Sequence, residues 1–175
     1  MVKKRERPSW NESFMFRALW AATRSSCLYL HTGAVVVKNN REIASGYNGA
    51  LSEVENCLER GCRKDAEGVP FERKGQGVCR GMHAEVNALI EALKTGFNLE
   101  GNDIYTLYLP CSGCAKMIAQ CGIGRVFYTE VYGKEEKLTK ETFKEKKIEL
   151  IPLDLDVERC YRMIKHLNDV KKRQG

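Results

Sequence analysis

Residues 49–81, "GALSEVENCLERGCRKDAEGVPFERKGQGVCRG", set the hardest condition on any fold of this chain. The stretch is polar and glycine-rich, contains Pro70, and repeats neither every 3.6 residues nor every two. A loop of that length inside a compact domain is either functional or held by something other than a core. Cys57, Cys62 and Cys79 all lie in it. In a reducing compartment, cysteines clustered in a polar segment point to metal or catalysis rather than to disulfides.

The flanks are regular. Residues 10–27, "WNESFMFRALWAATRSSC", read as a helix, with Phe14, Ala18, Ala21 and Ala22 at helical spacing and Ser9 or Asn11 as a cap. Residues 33–49 read as a β-hairpin: Ala34–Val37 is apolar and β-branched, Asn39-Asn40 supplies the turn, and Ile43–Tyr47 returns. After the loop, "HAEVNALIEALKTG" is a helix stopped by Gly96 and "DIYTLYL" a strand. "CSGCAKMIAQCG" is a helix, "GRVFYTEVY" a strand, "KEEKLTKETFKEKK" a charged helix, "IELIPL" a short strand, and Val157–Lys172 a last helix. Such alternation predicts an α/β sandwich around one sheet, and 175 residues suit one domain, 1–175.

Composition narrows the class. No apolar run approaches the roughly 18 residues needed to span a bilayer, and "MVKKRERPSW" lacks the apolar core of a signal peptide. A soluble, cytoplasmic protein is expected. The net charge of +6 sits at the ends, +3 in residues 1–7 and +3 in 134–175, with 8–133 neutral. Excess charge at both ends is a solubilising periphery more often than a nucleic-acid surface, so nucleic acid is not the expected partner.

The chemistry lies in His83-x-Glu85 and Pro110-Cys111-x-x-Cys114. Cys-x-x-Cys alone is shared by redox motifs and zinc ribbons. Three ligands, His83, Cys111 and Cys114, make an open zinc site with a place for water, whereas a structural zinc takes four. Zinc lowers the pKa of a bound water from 15.7 toward about 7. Both ligand groups fall at predicted helix starts, where the positive end of the dipole favours thiolate. Residues two apart on a helix point away from each other, so His83 should sit at the lip of the helix with Glu85 in its first turn. A carboxylate there that does not bind the metal is a proton shuttle; the plain alternative is an acid favoured at a helix start. Cys79 and His83 stand four apart, so one ion could also hold both.

His-x-Glu followed by Pro-Cys-x-x-Cys is the known signature of zinc nucleobase deaminases, in which hydroxide attacks C4 of cytosine or C6 of adenine and the Glu moves protons. "GAVVVKNNREIASGYNG", "MHAEVNAL" and "LYLPCSGCAKMIAQCGIGRVFY" resemble the deoxycytidylate (dCMP) deaminase family over about Cys27–Tyr132. Gly46-Tyr47-Asn48-Gly49 is the part of the resemblance that sets it apart from tRNA-editing deaminases. The resemblance implies a cytidine deaminase-like three-layer α/β/α sandwich with a mixed five-stranded sheet. It implies conversion of dCMP to dUMP for thymidylate synthesis, a homohexamer, and regulation by dCTP with Mg2+ and by dTTP. It implies His83, Cys111 and Cys114 on the catalytic zinc, Glu85 as acid/base, and Asn48, Ala84 and Tyr132 against substrate, with Gly46, Tyr47 and Gly49 as candidates for a regulatory nucleotide. Read without the family, Asn48 is a turn residue and Tyr132 rim packing.

The family often continues GYNG as x-P-x-G, whereas here Ala50-Leu51-Ser52-Glu53 follows. That puts phosphate recognition in question and keeps dCTP, cytidine or an RNA base open as substrates. Arg24, His31 and Lys38 lie near the hairpin and are candidates for a phosphate, each more readily read as structural or solvated. Many members hold a second zinc, and by that resemblance Cys27, Cys57, Cys62 and Cys79 would close it, making 49–81 a zinc-binding insertion. Cys121 and Cys160 read as core packing. The reading of a different class is a zinc-stabilised nucleic-acid-binding module.

Overall fold

In the computed structural model, which describes residues 7–70, 77–132 and 136–172 (side chains of the last helix as far as 165), each expected element is present. Helix α1 spans Trp10–Ala22, and strands β1, Gly33–Lys38, and β2, Arg41–Tyr47, form the hairpin. Two single turns, α2 (Cys57–Arg60) and α3 (Arg63–Ala66), lie in the loop expected to be irregular. Then follow α4 (Ala84–Lys94), β3 (Asp103–Tyr108), α5 (Ser112–Gln120), β4 (Arg125–Glu130), α6 (Glu136–Glu145), β5 (Glu149–Pro152) and α7 (Val157–Lys172). Among the described residues no helix is long and apolar enough to cross a membrane. Of the two charged ends, residues 1–6 and 173–175 lie outside the described residues, as do 133–135.

The sheet runs β2-β1-β3-β4-β5. β1 is antiparallel to both β2 and β3, while β3, β4 and β5 are parallel, so the sheet is mixed. The hairpin turn is two residues long because Asn39 and Asn40 take φ of +50° and +56°, the left-handed pair that asparagine tolerates and a tight hairpin needs. Alternate residues of the strands then point to opposite faces. Val35, Val37, Tyr105, Leu107 and Phe127 pack under Phe14, Met15, Ala18 and Ala22 of α1. Ala34, Val36, Ile104 and Val126 pack under Ala84, Ala88 and Leu89 of α4, Ala115 and Ile118 of α5, and Phe143 of α6. Those are the three layers.

Helix α1 starts on a reciprocal cap between Ser9 and Glu12, and it stops five residues short of Cys27. The backbone of 23–25 closes it with single-turn bonds, and the chain then turns so that Cys27 leaves the helix. Cys160 is buried and Cys121 packs at the edge of the α4–α5 core, as expected of packing cysteines.

Gly46 places β2 against the helix that carries the site. A Cβ there would lie 2.5 Å from the Ala84 carbonyl oxygen and 2.4 Å from the Ala88 nitrogen, both backbone atoms of α4. Only a residue without a side chain permits that approach. Gly46→Ala is expected to push β2 from α4 and cost about 1–3 kcal/mol, the usual range for overpacking, read as a lower urea midpoint at unchanged m-value.

Candidate metal centre

The sequence places a ligand at the mouth of each of two helices, and the sheet brings the mouths together. His83 is the N-cap residue of α4, extended at φ −76° and ψ 150°, and Cys111 is the N-cap of α5 at φ −66° and ψ 165°. Neither side chain caps its own helix, and both face a common point. Parallel pairing of β3 with β4 delivers Cys111: Leu109 N–H donates to the Glu130 carbonyl at 2.7 Å, extending the ladder past β3. The Pro110 carbonyl, just before Cys111, accepts from the buried Thr139 hydroxyl of α6 at 2.9 Å. Nothing local in the sequence marks Thr139 for that work.

The result is a cluster. His83 Nδ1 lies 3.5 Å from Cys111 Sγ and 3.3 Å from Cys114 Sγ. Among the described residues this is the only group of three or more His, Cys, Asp or Glu whose ligand atoms all lie within 4.8 Å of one another. Cys79 is not in it, so the spacing to His83 does not denote one shared ion. The hydrogen bond from Cys114 draws Cys111 down to about 3, and the same bond, with burial, pushes Cys114 up. A divalent cation would take the place of the proton in that bond. One imidazole nitrogen and two sulfurs are zinc's preferred donors, and three of them leave a position open.

Glu85 follows in the first turn of α4 and is 6% exposed. Burial pushes its carboxyl up, against its own backbone N–H and His83, which pull it down. It hydrogen-bonds with Cys114, so it faces the cluster. It is not a surface acid at a helix start. Ala84, between His83 and Glu85, is fully buried.

The GYNG run is fastened to this helix mouth. Gly49 and Met82 exchange backbone bonds, Met82 N–H to the Gly49 carbonyl at 2.7 Å and Gly49 N–H to the Met82 carbonyl at 3.2 Å. Asn87 Nδ2 of α4 donates to the Tyr47 carbonyl at 2.8 Å. Asn48 joins the loop before β1: its Oδ1 accepts from Thr32 N–H at 2.9 Å, and its Nδ2 donates to the Leu30 carbonyl at 2.7 Å. One Nδ2 hydrogen remains for another acceptor. Tyr132, beyond β4, stands edge-on to Tyr108 with centroids 5.8 Å apart. Glu53, where the family often has glycine, keeps a left-handed backbone at φ +63°.

Of the phosphate candidates, Lys38 ends β1 one residue beyond Val37, which pairs with Asp103 at the start of β3, so it lies at the opposite end of that strand from Cys111 and is removed from consideration. His31 bonds the Cys27 carbonyl through Nε2 at 2.8 Å and lines a cavity of about 400 Å³ with Glu130 and Asp154, whose carboxylates oppose a phosphate there. Arg24 lies just past α1, its backbone N–H bonded to the Ala21 carbonyl.

The four remaining cysteines gather at the base of the insertion without closing to the 4.8 Å of the first cluster. Cys57 is pushed up by burial first, then by Cys62, Cys27 and Cys79, with Arg80 opposing. Cys27 Sγ accepts from Leu30 N–H at 3.5 Å, and Cys79 Sγ from Gly81 N–H at 3.4 Å.

Comparison with known proteins places these features in context. The sequence model for the cytidine and deoxycytidylate deaminase zinc-binding region matches residues 8–130. ComE operon protein 2 of Bacillus subtilis is 35% identical over 151 residues, covering 86% of this chain and 75% of its own. Deoxycytidylate deaminase of Saccharomyces cerevisiae is 37% identical over 134 residues, and those span 77% of this chain but only 42% of the yeast protein. The crystal structure of dCMP deaminase from cyanophage S-TIM5 with dCMP and dUMP superposes at a TM-score of 0.69 with 27% identity, covering 85% of this chain and all of that one.

Because ligand atoms bind a cation only without their protons, zinc uptake at His83, Cys111 and Cys114 should release protons. Competition with a chromogenic chelator should show affinity falling about tenfold per pH unit for each proton displaced. Cys114→Ala should remove one zinc from the count.

Proposed function

The chain belongs to the cytidine and deoxycytidylate deaminase family of zinc-dependent hydrolases, and from that membership we propose that it converts dCMP and water to dUMP and ammonia, supplying thymidylate synthesis. The observation that carries this reading is the buried Glu85 carboxyl bonded to Cys114 beside a three-ligand cluster. A metal that served structure alone would not call for a buried carboxylate outside its ligand set.

Zinc held by His83, Cys111 and Cys114 supplies Lewis acidity, lowering the pKa of water toward about 7. Glu85 then does the proton work. It accepts a proton from the attacking water as the C4–O bond forms, and passes it to ring N3. It then takes the proton of the new C4 hydroxyl and delivers it to the 4-amino group, so that C4=O forms as the C4–N bond breaks and ammonia leaves. A carboxyl whose affinity for protons is raised by burial suits both roles, since it must pick up as well as release. Asn48, fixed by Thr32 and Leu30, offers its spare Nδ2 hydrogen to a sugar hydroxyl. Ala84 forms the floor between ligand and base, and Tyr132, stood upright by Tyr108, walls the pyrimidine. A regulatory nucleotide with Mg2+ would meet the GYNG run through exposed Tyr47, since Gly46 and Gly49 are both buried.

The second zinc belongs to the same proposal. Cys27 in the loop before β1 and Cys57, Cys62 and Cys79 of the insertion are four soft donors, and two already accept N–H bonds that suit a thiolate. The 1–175 chain then acts as one deaminase unit with 49–81 as a metal-held insertion. The enzyme is a homo-oligomer: Ile90 and Leu93 of α4, Phe97 beyond it and Met117 of α5 are exposed apolar residues on the outer helical layer. It works in the cytoplasm, where free cysteines persist.

One observation favours a second substrate reading. Glu53 replaces glycine beside the GYNG run and keeps its strained backbone, so the same chemistry on dCTP, cytidine or an RNA base is the alternative. Incubation with dCMP, dCTP, cytidine and a cytosine-containing RNA, followed by ammonia release, separates them. Turnover of dCMP is expected to exceed the others; turnover of another substrate with none of dCMP contradicts the proposal. Glu85→Gln should keep its zinc and its fold but lose activity by ~100-fold or more, as for loss of a general acid/base. Metal analysis should count two zincs per chain, and Cys62→Ala one, with a lower Tm.

A further inference from the structure

The ligands at the two helix mouths are held in the same way but by different donors. Peptide planes are rigid, so a residue whose own carbonyl and whose predecessor's carbonyl are both bonded has its backbone fixed, and only its side-chain torsions remain to aim it. At His83, the Met82 carbonyl accepts from Gly49 N–H at 3.2 Å and the His83 carbonyl from Asn87 N–H at 3.0 Å. At Cys111, the Cys111 carbonyl accepts from Ala115 N–H at 2.8 Å and the Pro110 carbonyl from the Thr139 hydroxyl at 2.9 Å. Three of these four donors are backbone N–H groups, which every residue but proline supplies. The fourth is a side chain that one substitution removes. Thr139 is fully buried on α6, one turn before the core residue Phe143. A helical threonine commonly returns its hydroxyl to a carbonyl of the preceding turn, as Thr142 does to Leu138 at 2.8 Å. Thr139 instead bonds a carbonyl 29 residues away in the chain.

We infer that Thr139 is a positioning residue of the metal centre: its hydroxyl fixes the 110–111 peptide plane and so aims Cys111 Sγ at the point that His83 and Cys114 share. The inference deepens the proposed reaction and rests on zinc at that centre. Cys114 needs no such device, because it lies within α5, where the helix sets its backbone. Cys111 does, because it stands at the N-cap, outside the regular helix, and the proline before it brings no N–H of its own. Pro110 is buried, and a buried carbonyl that loses its donor regains one only by turning its peptide plane. That turn would carry the Cys111 backbone, and Sγ with it, away from His83. Zinc–ligand distances hold to within about 0.2 Å, so a small rotation of the plane is felt at the metal.

The test uses the holoenzyme. Transfer of zinc to a chromogenic chelator is followed for wild type, Thr139→Val, Thr139→Ala and Thr139→Ser, reading the phase that is absent from Cys114→Ala. Valine keeps the branched shape and loses the hydroxyl. In Thr139→Val that phase should speed up about tenfold or more, the usual effect of losing an outer-shell partner. Thr139→Ser, which keeps the hydroxyl, should release zinc nearly as slowly as wild type. Phe143→Leu is the control for a loosened α6: it should lower the Tm and leave the phase unchanged. Thr139→Ala is a second variant without the hydroxyl and decides the question where Thr139→Val does not fold. Wild-type release in the hydroxyl-free variants overturns the role of Thr139, as does equal acceleration in Phe143→Leu or in Thr139→Ser. No zinc at His83, Cys111 and Cys114 in the wild type overturns the metal centre and this inference with it. Because zinc and not turnover is read, a chain that holds the metal and deaminates no cytosine compound contradicts the reaction and not the positioning of Cys111.

Discussion

The meeting of His83 Nδ1 with the sulfurs of Cys111 and Cys114, at 3.5 and 3.3 Å, is the constraint on which the rest of the structure depends. Two helices must begin at one place, and each must leave its N-cap side chain unused by its own backbone. The mixed sheet accomplishes this. Parallel β3 and β4 put Cys111 at the end of a strand, where α5 opens. The antiparallel hairpin carries Gly46 under α4, so that His83 at the mouth of that helix lies over the same end. Three ligands and an adjoining buried carboxyl then define a site for hydrolysis rather than for structure.

The 49–81 insertion bears on the site through a narrow connection. Its two ends are joined by the Gly49–Met82 bonds, and Met82 is the residue before His83. Tyr29 also donates to Asp65 of α3 at 2.6 Å, tying the loop before β1 to the insertion. The four cysteines sit on both partners of that tie. A metal there would fix the loop from within, and the short run Cys79–His83 would join one centre to the other.

How much of this was legible in the sequence follows from how local each cause is. The hairpin was readable because Asn39-Asn40 can take the left-handed pair, and the helix starts because Ser9, His83 and Cys111 stand at breaks in periodicity. The placing of Glu85 in the first turn, with His83 at the lip, follows from helix geometry alone. What stayed hidden is what depends on residues distant in sequence. The end of α1 at Ala22 rather than near Cys27 reflects the turn that brings the cysteine toward the insertion. The fit of Gly46 against Ala84 and Ala88, the Thr139 bond to Pro110 and the double engagement of Asn48 all arise across the fold. Lys38, a phosphate candidate by its place near the hairpin, lies at the wrong end of a strand.

The most direct measurement is anomalous diffraction from crystals of the purified protein at the zinc absorption edge. The account predicts a peak bounded by His83 Nδ1, Cys111 Sγ and Cys114 Sγ, with its fourth position open toward Glu85 and not filled by a protein atom. A peak closed by four protein ligands there, Glu85 among them, or no peak at these residues, would contradict the claim that this chain holds a hydrolytic zinc with a free proton carrier beside it.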